Sequence, residues 1–231
     1  IGGAVKLNAG SASGENSVGG DVRITSGSAA SGKGGSIELS VGASNGEGDE
    51  KNPIVGGMLS MVAGMSTAEN GQGGTIIMRG GASTASDSGG VGGAVSISGG
   101  NSNTNYGGDV TISSGISSTT TSGSVTVSTP NAGLEGASGS VLLRTGDTTS
   151  GASGTITLST GITETGEGGS ILMTVGAAAE KSGGDIVLKA GNTAAESEDD
   201  SPALGGSIML MSGKAALATS GSINLKTSNA G

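Results

Sequence analysis

Gly183-Gly184-Asp185-Ile186-Val187-Leu188-Lys189-Ala190-Gly191 sets the pattern for the whole chain. Two glycines open the stretch and one closes it. Ile186 and Leu188 stand two positions apart, so in an extended backbone they share one face, while Asp185, Val187 and Lys189 share the other. Gly34-Gly35-Ser36-Ile37-Glu38-Leu39-Ser40-Val41-Gly42 repeats the arrangement, as does Gly205-Gly206-Ser207-Ile208-Met209-Leu210.

Working outward from these stretches, the 231 residues divide into 14 repeats that begin at Gly2, Gly19, Gly34, Gly56, Gly73, Gly92, Gly107, Ser122, Ser138, Ser153, Gly168, Gly183, Gly205 and Ser220. The commonest spacing is 15 residues and the longest 22. Column 2 of the repeat is Gly throughout, from Gly3 to Gly221, and column 9 is Gly except at Pro130 and Ser228. Columns 4 and 6 are always aliphatic or Met. They include Val5 and Leu7, Val22 and Ile24, Ile37 and Leu39, Ile97, Ile112, Ile156 and Leu158, Ile186 and Leu188, and Ile208 and Leu210. Ile, Val, Leu and Met number 49 in all, and 28 of them fill these two columns without a miss. Columns 3, 5 and 7 are mostly polar, and columns 10 to 12 are small and polar.

A short amphipathic strand punctuated by glycine cannot bury its apolar face alone, whereas stacked copies can. The pattern therefore predicts an all-β fold, a narrow single-domain β-solenoid (β-helix) of about 14 rungs with a modal 15-residue repeat. The column 4 and 6 ladders would form a thin core, and small residues on the far wall would let the walls approach. The domain expected is 1–231, a stretch of a longer array, because the first repeat is regular and the last stops within a repeat.

Composition fits a thin interior. The chain has 50 Gly, 3 Pro, no Cys, His, Trp or Phe, and Tyr106 as its one aromatic residue. Only 32% of it is hydrophobic, where an ordinary domain approaches half. The missing G-x-y period excludes a collagen helix. A net charge of −9 disfavours nucleic acid and anionic membrane surfaces, and no run of 18 apolar residues offers a membrane insertion.

Without His or Cys, the common nucleophile–base pairs and imidazole or thiolate metal sites are gone; carboxylate pairs remain possible, but most acids are isolated or in loops and a rung this narrow forms no cleft. No enzymatic activity, catalytic residue or cofactor is expected. Calcium is the one ion the sequence leaves open. Asp21, Asp109 and Asp185 occupy column 3, but on repeats far apart, and the acidic insertions Gly46–Pro53 and Glu196–Pro202 lack the spacing of an EF-hand loop. A solvated loop is the simpler reading. Columns 5 and 7 carry Ser96/Ser98, Thr111/Ser113, Thr126/Ser128 and Thr157/Ser159, which suggests an ice-binding row, but Leu142/Arg144 breaks it. No N-x-S/T sequon is present.

The outward columns also hold aliphatic residues that a solvated face does not need: Ile77, Leu142, Leu172, Val187, Met209 and Met211. Exposed apolar stripes often mark contact surfaces, so these six are the candidate contact stripe.

The G-G-[SDT]-[VI]-x-[LI]-x-x-G pattern, carried by residues 34–42 and 183–191, resembles the Gly/Ser/Thr-rich repeats of large secreted and cell-surface proteins of diatom-type algae and of bacterial adhesins. The resemblance covers nearly the whole chain. It implies an extracellular structural or adhesive role in a filament, sheath or appendage, and it carries no site residues with it. The partners it implies are copies of the chain or other structural proteins of the same assembly. A glycan partner fits the alternative of a ligand-binding adhesin module, and an antifreeze protein is the other alternative.

Overall fold

The structure is a computed structural model that describes residues 2–46, 53–84, 89–193 and 204–228. It overturns the expected architecture. Among the described residues there is no helix and no strand, hence no sheet, β-solenoid or β-helix. No described residue is buried, so the column 4 and 6 ladders do not close into a core. The accessible surface totals 23179 Å², against roughly 9,000 Å² for a compact chain of this mass.

Backbone and composition account for the difference. A solenoid needs continuous ladders of N–H and C=O groups between rungs. Here each junction between repeats makes at most one such bond. Ordering each residue costs about 1–2 kcal/mol, and glycine loses more freedom than any other residue. Only about one residue in five is a large aliphatic that could offset that cost.

The chain divides into two compact units, Ile1–Ser124 and Val125–Gly231, and the same repeat runs through both. Each repeat consists of a segment, columns 1 to 9, followed by a loop that brings the next repeat back beside the segment's end. In Ile1–Ser124 the column 2 N–H of one repeat donates to the column 9 carbonyl of the repeat before it. Gly20 bonds Gly10 at 2.8 Å, Gly35 bonds Gly27 at 2.9 Å, Gly74 bonds Gly64 at 2.8 Å and Gly123 bonds Gly115 at 2.9 Å. Gly93 and Gly108 reach Gly81 and Gly100 in the same way, each at 2.8 Å. In Val125–Gly231 the bond recurs at Gly206 to Gly191 and Gly221 to Gly213, both 2.9 Å.

Close approach accounts for the column 2 glycine at the closed junctions. A Cβ on Gly74 would sit 3.0 Å from the Gly64 amide nitrogen, and one on Gly108 would sit 3.0 Å from that of Gly100, tighter than nine in ten real Cβ contacts.

Column 8 decides whether the junction closes. All the bonds of 2.8–2.9 Å follow Ala, Ser or Gly at that column: Ala9, Ser26, Ala63, Gly80, Gly99, Ser114, Ala190 and Ser212. Val41 lengthens its bond, Gly57 to Gly42, to 3.2 Å. Four successive junctions carry Thr129, Thr145, Thr160 and Val175 instead, and there the amides of Gly139, Gly154, Gly169 and Gly184 make no such bond. The γ-carbons occupy the gap. Thr145 Cγ2 lies 3.1 Å and Val175 Cγ1 2.9 Å from where a Cβ of Gly154 or Gly184 would be, with no column 9 backbone within 4 Å of either. At these four junctions a β-branched side chain fills the gap between the backbones, whereas beside Val41 the bond persists in lengthened form.

Loop tips rely on local bonds. Asn16 and Asn70 take positive φ of 55° and 57°, a region Asn tolerates better than most residues. Ser17 Oγ donates to the Gly14 carbonyl at 2.6 Å, and Thr163 Oγ1 accepts from the Gly166 amide at 3.0 Å.

Candidate functional site

The surface to be explained is the repeated segment and its two sides. Column 4 is the better covered side. Val5, in the first repeat, is 90% exposed, whereas every later column 4 residue stands between 49 and 57%. The preceding repeat therefore shields column 4. Column 6 behaves in the opposite sense: Leu225, in the last repeat, is 86% exposed against 60–74% for the others. The following repeat shields column 6. Contact is between neighbours only, and half of each ladder side chain stays in water.

The outward stripe is barer. Leu142, Leu172, Val187, Met209 and Met211, all in Val125–Gly231, are 77–82% exposed. Ile77, in Ile1–Ser124, is 64% exposed. In Val125–Gly231 the stripe residues of columns 5 and 7 are thus less covered than columns 4 and 6, the terminal Leu225 aside, whereas Ile77 is covered as much as column 6.

The chemistry available is that of contact. Among the described residues there is no pocket, and no group of three or more Asp or Glu that could hold a metal ion. Asp21, Asp109 and Asp185 remain single carboxylates. The acidic stretches proposed for calcium, Glu47–Glu50 and Glu196–Asp200, lie outside the described residues. No helix is long and apolar enough to cross a membrane among the described residues. The rows Thr111/Ser113 and Thr126/Ser128 stand on irregular backbone, which offers no flat lattice of hydroxyls.

The role of column 8 is the feature that sequence reasoning missed. By spacing alone column 8 continues the side that columns 4 and 6 share. The signal was present in the alternation between Ala, Ser or Gly and a run of Thr129, Thr145, Thr160 and Val175, but its meaning needs the bond that the column controls.

No protein-family model, curated protein or solved structure matches the chain.

Proposed function

We propose that the chain is an extracellular structural and adhesive repeat protein, one that associates with copies of itself or with other structural proteins of a filament, sheath or cell-surface appendage. The observation that supports this most is the uncovered aliphatic surface. Soluble monomers rarely leave contiguous apolar patches larger than a few hundred Å² in water, and such patches usually meet a partner. Here every described aliphatic of columns 4 to 7 stands about half exposed or more. The resemblance to repeats of secreted and cell-surface proteins supports an extracellular location. The Ser, Thr and Gly that make up most of the remainder keep the chain hydrated between contacts.

Sedimentation velocity across a dilution series tests the reading. A rising sedimentation coefficient with concentration is the expected result. A single monomeric species up to the solubility limit overturns it. The stripe is tested by Leu172→Lys with Val187→Glu, which keeps net charge constant. Association should weaken, and unchanged association removes the stripe from the contact.

A further inference from the structure

Charge is sorted by position in the repeat. Six of the ten basic residues, Lys6, Arg23, Arg79, Arg144, Lys189 and Lys226, occupy columns 5 and 7, where Glu38 is the one acid. From column 10 onward, in the loops, the balance reverses. Fifteen of the nineteen acids lie there, against four bases. The loops thus carry a net −11 and the segments +2, which together give the −9 of the chain.

The structure makes this sorting consequential. Among the described residues the charges form no ion pairs within the chain. In Val125–Gly231 columns 5 and 7 are also the less covered side, with Leu142, Leu172 and Val187 beside Arg144 and Lys189. In the same compact unit the loops present Glu135, Asp147, Glu164, Glu167 and Glu180, all exposed.

We infer that a second copy of this chain docks through charge complementarity: the acidic loops of one copy lie against the basic, aliphatic columns 5 and 7 of another. This rests on the self-associating reading above and names its surfaces. A plain polycation would account for the loops alone. A second copy accounts for the loops, for the basic columns and for the aliphatic residues set between the bases. The mutual repulsion of two chains at −9 is long-ranged. At about 0.15 M salt the Debye length is about 8 Å, so that repulsion is screened while contacts within 4 Å survive.

Each copy carries both surfaces, so a reciprocal pairing closes as a dimer, while a head-to-tail pairing whose rotation does not close extends into a fibre or mat.

The test is a charge exchange on the full chain, read by sedimentation equilibrium at about 0.15 M salt, where contact pairs are not screened away. One variant carries Arg144→Glu and Lys189→Glu. The other carries Glu164→Lys and Glu167→Lys. Each alone should associate at least about tenfold more weakly than the parent chain, a loss of about 1.4 kcal/mol. Mixed in equal amounts, they should recover most of that loss as a heterotypic complex. Raising salt to about 1 M, where the Debye length is about 3 Å, should weaken the parent's association. Variants that associate like the parent, or a mixture no better than its components, overturn the inference while leaving self-association standing. Poly-lysine binding that the loop variant loses, with its self-association intact, assigns the loops to a cationic partner and also overturns it. A parent chain that never associates removes the self-associating reading and this inference together.

Discussion

Replacing Ala63 by Thr tests the junction rule directly. Gly74 N–H donates to the Gly64 carbonyl at 2.8 Å, and the Ala63 Cβ lies 3.3 Å from where a Cβ of Gly74 would be. There is room for a methyl group and no more. A threonine there would place Cγ2 where Thr145 Cγ2 stands at the open junction, 3.1 Å from the Cβ position of Gly154. The bond should then lengthen, as it does beside Val41, or be lost, as it is beside Thr145. A hydrogen bond of this kind contributes about 0.5–1.5 kcal/mol net. Its loss should speed solvent exchange of the Gly74 amide by about 2- to 12-fold. The assay is solvent exchange of backbone amides by NMR, with Gly20 and Gly123 as internal standards. The reverse change, Thr145→Ala, should slow exchange at Gly154 by a similar factor as its N–H reaches the Gly146 carbonyl. An unchanged Gly74 in Ala63→Thr, together with an unchanged Gly154 in Thr145→Ala, would falsify the claim that column 8 gates the junction.

Three further outcomes follow from the same geometry. Gly80→Ala should open its junction although alanine serves at column 8 elsewhere, because a Cβ on Gly80 would run into the Gly93 carbonyl oxygen. Faster exchange at Gly93 is the readout, and the matching change Gly99→Ala should act on Gly108 in the same way. At the loop tip, Asn70→Val should cost roughly 1–2 kcal/mol, since a β-branched residue resists the positive φ of 57° held there. The bond from Gly71 N–H to the Ala68 carbonyl should then weaken, while Asn70→Gly preserves it; equal exchange at Gly71 in both variants would count against the strain argument. Deleting residues 153–167, one whole repeat, should move amide resonances only in the repeats on either side, because coverage passes between neighbours alone. Shifts spread across Val125–Gly231 would show longer-range order.

Much of the repeat was legible in the chain itself. The pairing of Ile186 with Leu188 on one side and of Val187 with Lys189 on the other follows from spacing, and their exposures differ in that sense. The location of Asn70 and Gly151 at positive φ falls in loops that the Gly, Asn and Ser runs mark. What periodicity could not say is whether anything covers the face it defines. Ile208 and Leu210 occupy the columns of a core, yet each is more than half exposed. A hydrophobic period reports which side chains share a side. Whether that side closes depends on how many backbone bonds each junction makes, and that number varies with the residue at column 8: Ala, Ser or Gly at every bond of 2.8–2.9 Å, Thr or Val at the four open junctions. Thr160 and Ala190 look interchangeable as small members of a face, but one holds the backbones apart and the other lets them meet.

The four open junctions are consecutive, from Thr129 to Val175, rather than scattered. This matters for how association could work. Where Ala, Ser or Gly closes the junction, the column 2 N–H and column 9 carbonyl satisfy each other. At the junctions of Thr129, Thr145, Thr160 and Val175 the amides of Gly139, Gly154, Gly169 and Gly184 make no such bond and remain available to water or to a partner. The same stretch carries Leu142, Leu172, Arg144 and the loop acids Glu164 and Glu167. Backbone donors that lack an internal acceptor, aliphatic side chains that lack cover and charges that lack a counterion therefore fall together in one run of repeats. Each deficit is small alone. On the proposed self-association, a second copy that met all three would gain hydrogen bonds, apolar burial and ion pairs at once, so variants in this run should weaken association most.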